Sequence, residues 1–141
     1  MKSPMAREPR LLGIDVGTEG TKVALFDING RVVKDAYEEY ELTCPRAGWA
    51  EQDPEKWWHA VSKNVKTVLA SSKLPAYEVR GVGVCGQMHA PVPIGKDGNL
   101  LYRSPSLWCD KRNAPQCERL KSTVDEEQLI KISANPITTP W

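Results

Sequence analysis

Three short stretches of this chain carry side chains that could do chemistry. In the first, Asp15-Val16-Gly17-Thr18-Glu19-Gly20-Thr21-Lys22, an aspartate ends an apolar run and a turn with two glycines follows. Glycines in a tight turn let backbone N–H groups converge on one concavity, which suits phosphate oxygens. Thr18 and Thr21 add hydroxyls and Lys22 adds a positive charge. Asp15 could hold a hydrated Mg²⁺, an ion that keeps several waters and takes one or two carboxylates. The stretch is neither GxxxxGK[ST] nor a dinucleotide fingerprint, because its turn leads into a strand rather than a helix. The same residues also make an ordinary hairpin turn with an exposed lysine, and spacing alone does not choose.

The second stretch is Gln87-Met88-His89, directly after a run of β-branched and small residues. Amide and imidazole can hydrogen-bond polyol hydroxyls while methionine packs against a carbon face; a histidine there is also commonly structural. His59, the other histidine, falls on a separate predicted helix, so a histidine metal site has little support. The third is Trp108-Cys109-Asp110-Lys111-Arg112. An aromatic face beside a carboxylate and a guanidinium can bind a sugar, but Asp110 could equally cap a helix over Trp108. The tryptophans of "GWAEQDPEKWW" read as core and loop packing, with no catalytic role.

These residues need elements to position them. The pattern predicts strands over 11–16 and 22–28, a hairpin turn at Asn29-Gly30 with both positions at positive φ, and a third strand through 31–42. A helix is expected from Pro54 to about Ser72, with Asp53 as its cap and Trp57, Val61, Val65, Val68 and Leu69 on one face. The uncharged run "VGVCG" predicts a strand buried on both faces over 78–86. A hairpin around 96–99 and one or two helices over 114–136 complete the chain, after a flexible leader at 1–10. The order βββαβ with flanking helices makes an α/β domain with a mixed sheet. The strands ending at Val16 and Gly86 are both candidates for the sheet centre. If they run parallel, "DVGT" and "GQMH" emerge at one edge, where open α/β sheets bind ligands.

At 141 residues the chain is long enough for one domain with a real core. Nineteen basic against eighteen acidic residues, with no basic block, leave no nucleic-acid or anionic-membrane footprint. No apolar run approaches membrane-spanning length, and the basic start has no apolar stretch behind it. Four cysteines without CxxC pairing suit reduced thiols, so a cytoplasmic protein is expected.

"GIDVGTEGTKVALFD", "GWAEQDPEKWW", "GVGVCGQMHAPV" and "LWCDKRN" occur in the order and spacing of the FGGY carbohydrate kinases, and the chain resembles the xylulokinase group most. That resemblance implies a ribonuclease H-like, actin-type domain, one of two that close over ATP and a sugar, with residues 11–141 as its N-terminal part. It implies phosphoryl transfer from ATP with Mg²⁺ to a ketopentose such as D-xylulose. Ribulose, gluconate, glycerol or another polyol is the nearest alternative, and a non-catalytic actin-fold binding module a further one. Carried over by position, Asp15 matches the metal- and phosphate-associated aspartate, and Gly17, Thr18, Glu19, Gly20, Thr21 and Lys22 the phosphate turn. Gln87, Met88 and His89, with Trp108, Asp110 and Arg112, match the sugar side. Ala90 stands where xylulokinases commonly have glycine. The family's general-base aspartate lies beyond residue 141, so the chain alone is expected to be inactive. Its sheet is expected to be incomplete at the C-terminus, and self-association or another chain is expected to cover the open edge.

Overall fold

The computed structural model describes residues 8–139, which fall into two compact units. The first unit comprises residues up to Glu41 together with Pro54–Gln87. It contains a four-stranded sheet in the order β3-β2-β1-β4, with β1 Arg10–Val16, β2 Gly20–Phe26, β3 Val32–Glu39 and β4 Val79–Cys85. The first three strands are an antiparallel meander and β4 runs parallel to β1, as the expected order requires. Most of the expected leader lies outside the described residues, but Arg10 already belongs to β1.

Helix α1, Pro54–Ser72, covers one face of the sheet. Leu12, Val23 and Leu25 on the strands and Val68 on the helix are buried together, with Ile14, Val65 and Val79 packed around them. Each such side chain contributes about 1.5–3 kcal/mol on leaving water. The buried stripe of α1 is Ala60, Asn64 and Val68, so the helix is rotated slightly from the all-apolar stripe expected. The reason is polar: Asn64 Nδ2 donates to the Thr21 carbonyl at 2.8 Å.

Two boundaries differ from expectation. Strand β2 begins at Gly20 rather than Lys22, because the Gly17 N–H bonds the Gly20 carbonyl at 3.0 Å and closes the turn early. A Cβ at Gly20 would sit 2.6 Å from the Glu38 carbonyl of β3, so only glycine fits there. The β2–β3 hairpin is wider than a two-residue Asn-Gly turn. Asp27 bonds Arg31 and Gly30 through the backbone and accepts from the N–H groups of Asn29 and Arg31 through Oδ1. Only Gly30 takes positive φ, at +80°.

Strand β4 also departs from expectation. Among the described residues it is an edge strand rather than a central one, and Val82 and Val84 are 59% and 69% exposed. They share a face with Leu12 and Ile14, but α1 packs chiefly against β2 and β3 and leaves them uncovered.

The second unit combines Leu42–Asp53 with the residues from Met88 onward. It has the expected hairpin, closed by Gly95 and Asn99, and two short helices, α2 Ala114–Lys121 and α3 Glu126–Ser133. The Asp125 carboxylate accepts from two N–H groups at the start of α3. Neither helix buries a residue fully, and among the described residues of this unit the buried apolar side chains are only Ala50, Leu107 and Ile137. Polar links must therefore hold much of this unit together. No helix among the described residues is long and apolar enough to cross a membrane.

Candidate functional site

The parallel register pairs Asp15 with Cys85, so the chain leaves β1 and β4 at the same end of the sheet. This juxtaposition was the condition set by the sequence for a ligand edge. Asp15 is exposed on the face opposite α1, directly across from Lys22 of β2. With Gly13, Phe26 and Cys85 they line an open concavity of about 570 Å³. Lys22 Nζ lies 3.3 Å from Asp35 Oδ2, with both side chains about half exposed. Such a surface pair is worth at most about 1 kcal/mol, which leaves the ammonium easily redirected. Cys85 Sγ donates to Asp15 Oδ1 at 3.3 Å. That bond, then partial desolvation and the carboxylate charge, pushes the Cys85 thiol pKa up.

Within the turn, Gly17, Thr18 and Glu19 form the bend proper, while Gly20, Thr21 and Lys22 belong to β2. Thr21 points away from the Asp15 face. Its side chain is fully buried and its hydroxyl meets the Tyr40 hydroxyl at 3.2 Å. Gln87, expected on the sugar side, hydrogen-bonds the turn. Its Nε2 donates to the Gly17 carbonyl at 2.9 Å, and its Oε1 accepts from the Thr18 hydroxyl at 3.4 Å. Tyr40, which the sequence did not single out, donates to the same carbonyl at 2.6 Å. Desolvation, partly offset by its bond to Thr21, raises the Tyr40 pKa and keeps the phenol protonated.

Met88 and His89 belong to the second unit and are exposed. His89 adopts φ +52°, a left-handed backbone unusual for a residue with a Cβ. In the same unit the structure joins Asp110 and Arg112 directly. Arg112 Nε and Nη2 donate to Asp110 Oδ1 and Oδ2 at 2.9 and 2.7 Å. Nη2 also reaches Glu51 at 2.6 Å, and the guanidinium lies 3.8 Å from the centre of the Trp49 ring. The Ala50 N–H donates to Asp110 Oδ2 at 2.7 Å. Asp110 is thus a buried brace and not a helix cap; Asn113 precedes α2. Burial opposes ionisation of Asp110, but the bonds from Arg112 and Ala50 outweigh it and hold its pKa below the usual carboxylate range. The hydrogen bond to Asp110, and after it the one to Glu51, push the Arg112 pKa up against the opposing effect of desolvation.

The turn that carries Trp108 is fixed at both ends to one residue. The Leu107 N–H bonds the Ala50 carbonyl and the Asp110 carboxylate accepts from the Ala50 N–H. Trp108 itself is 42% exposed. Trp49 and Glu51 therefore have a definite job in this unit, which the reading of "GWAEQDP" as loop packing missed. Acidic and basic residues some sixty positions apart gave no local signal of it.

The donor set allows one conclusion about metal. Among the described residues no three His, Cys, Asp or Glu side chains converge. A lone exposed aspartate beside a lysine fits outer-sphere attachment of a hydrated divalent ion that travels with phosphates.

Residues 10–140 match the sequence profile of the FGGY family of carbohydrate kinases, N-terminal domain. The chain is 34% identical over 127 residues to a xylulose kinase from Staphylococcus epidermidis, covering 90% of this chain and 25% of that one. It is 32% identical over 121 residues to a glycerol kinase from Chelativorans, covering 86% and 24%. The crystal structure of xylulose kinase from Rhodospirillum rubrum superposes with a TM-score of 0.82 at 27% identity, over 92% of this chain and 26% of that one. The chain thus spans about a quarter of the length of the curated relatives it matches.

Proposed function

The chain belongs to the FGGY family of carbohydrate kinases, with the actin-like ATPase fold, and on that premise we propose that it forms the opening part of an ATP-dependent sugar kinase. The substrate in this reading is a ketopentose such as D-xylulose. The observation that carries it is the parallel β1–β4 register, which brings the Asp15–Glu19 turn and the Gln87 side chain to one sheet edge.

The Thr18–Glu19 bend would turn backbone N–H groups toward the ATP phosphates, and Asp15 would hold Mg²⁺ through its waters. Bound MgATP supplies the phosphoryl group. Lys22 adds positive charge on the same face as Asp15. Met88, His89 and Trp108 bind the sugar, and the Glu51–Asp110–Arg112 brace holds the Trp108 turn. Phosphoryl transfer needs positioning and charge stabilisation around both the attacking and the transferred groups. The resemblance implies a proton acceptor among residues other than these 141.

A second reading keeps the chemistry and changes the acceptor to glycerol, gluconate, ribulose or another polyol. Similarity to a glycerol kinase at nearly the same identity supports it, as does Ala90 beside the sugar triplet. A coupled assay with ATP, Mg²⁺ and a panel of these sugars, on the protein encoded by the whole reading frame, tests both. Fastest turnover with D-xylulose supports the first reading; preference for glycerol or gluconate sinks it in favour of the second. ATP consumption indifferent to every sugar would leave only a non-kinase member of the fold. The 141-residue chain assayed alone is expected to be silent, and turnover at ordinary kinase rates would refute that.

A further inference from the structure

Two side chains from outside the turn grip a single carbonyl within it. The Tyr40 hydroxyl and Gln87 Nε2 donate to the Gly17 oxygen at 2.6 and 2.9 Å, using both of its lone pairs. Because the phenol proton is committed to Gly17, the buried Thr21 hydroxyl is the donor in its contact with Tyr40. A chain of donors thus runs from Thr21 through Tyr40 to Gly17. The Gly17 N–H is occupied too, by the Gly20 carbonyl at 3.0 Å.

A peptide unit is planar and trans, so its C=O and N–H point in opposite directions. Clamping the Gly17 oxygen toward Tyr40 and Gln87 therefore sets the direction of the next N–H, that of Thr18. It turns that N–H away from both clamping groups. Without the clamp, a glycine at the start of the bend would let this peptide rotate at little cost.

We propose that Tyr40, together with Gln87, is a positioning residue for nucleotide phosphate: the pair fixes the Gly17–Thr18 peptide so that its N–H faces a phosphate oxygen. The proposal rests on the turn being the phosphate site. It moves Gln87 from the sugar side to the nucleotide side and gives Tyr40 a role that its sequence context does not suggest.

The test is an amide NMR titration of the ¹⁵N-labelled chain with MgATP, and separately with D-xylulose. Tyr40→Phe deletes only the hydroxyl, and Tyr37→Phe, on the strand β3 that leads into Tyr40, serves as control. The wild-type chain is expected to show MgATP-dependent shifts at Gly17, Thr18 and Glu19. Tyr40→Phe is expected to move the Thr18 amide resonance before any nucleotide is added and to weaken MgATP binding about 3- to 10-fold, the loss of one ordinary hydrogen bond. Gln87→Ala is expected to act likewise, while D-xylulose shifts at Met88 and His89 keep their midpoint in both variants. A general folding defect would disturb both titrations, and the methyl resonances of Leu12 and Val68 report it directly. Unchanged MgATP affinity in Tyr40→Phe overturns the clamp and leaves the phosphate reading standing. Absence of any MgATP effect at 17–19 in the wild-type chain overturns the phosphate reading, and the clamp with it.

Discussion

Cys85 and Asp15 face each other across the parallel β1–β4 pair, with the thiol sulfur 3.3 Å from a carboxylate oxygen. The thiol donates, and the resulting hydrogen bond is the main reason its pKa is raised. Cys85 is exposed, so accessibility does not limit its chemistry. The thiolate is the nucleophile, and a raised pKa means less of it at any given pH. Iodoacetamide is therefore expected to label Cys85 more slowly than exposed Cys44 near neutral pH, with half-maximal rate above the ordinary thiol value. In Asp15→Asn the two rates should converge, as read by peptide mass spectrometry. Equal rates in the wild-type chain would mean that the thiol does not donate to Asp15.

The Arg112 brace makes a prediction about acid. Asp110 has a folded pKa below its unfolded value, so the stability it contributes is complete above about pH 3.9. That contribution is lost as pH falls through the lower, folded pKa. Asp110→Asn should flatten the acid limb of an unfolding profile followed by tryptophan fluorescence, and an unaltered limb would contradict the assignment. Arg112→Ala should cost about 3–5 kcal/mol, because it leaves Asp110 and Glu51 buried without their shared cation. Arg112→Lys should recover only part, since an ammonium cannot copy the two-pronged bond or the stacking on Trp49.

Asn64 is the one amide among the buried residues of α1. Replacing it with leucine removes the donor to the Thr21 carbonyl and should destabilise the first unit by about 1–3 kcal/mol. Urea titration checks this. A neutral or stabilising result would show that apolar packing serves equally well at this position.

Much of this architecture was legible because it is local. Asp53-Pro54 marked the start of α1, and the turn residues around Asp97-Gly98 marked the second hairpin. Edge or centre was not legible for β4, because a short, nearly uncharged strand looks alike wherever it lies; only pairing on one side distinguishes it. Tyr40 and Asn64 escaped notice for a related reason. Their roles depend on partners 23 and 43 positions away, so nothing in their immediate context announces them.

Among the described residues, strand β4 presents an unpaired edge with two exposed valines and a single charge, Arg80, whereas β3 carries Lys34, Asp35, Glu38 and Glu39 along the opposite edge. Charged edges resist strand addition and uncharged ones invite it. The chain is accordingly expected to associate with itself through β4, giving a concentration-dependent sedimentation coefficient. Val84→Lys should suppress that association, while a charge-neutral change on β3 should not. A monomer at every concentration would show that this edge is not adhesive.

The grip on Gly17 also has a consequence in time. The bend closes on itself across three residues, but the groups that orient its carbonyl lie 23 and 70 residues further along. Contacts between distant positions form late, because the intervening chain must first be ordered. The hairpin is thus an early structure during folding, and its ligand-ready form is among the last features to appear. Pulse-labelling exchange should find the Val23 amide protected well before Tyr40 and Gln87 settle on the bend. A folding intermediate can then possess the whole meander and still lack the Gln87 half of the grip on Gly17.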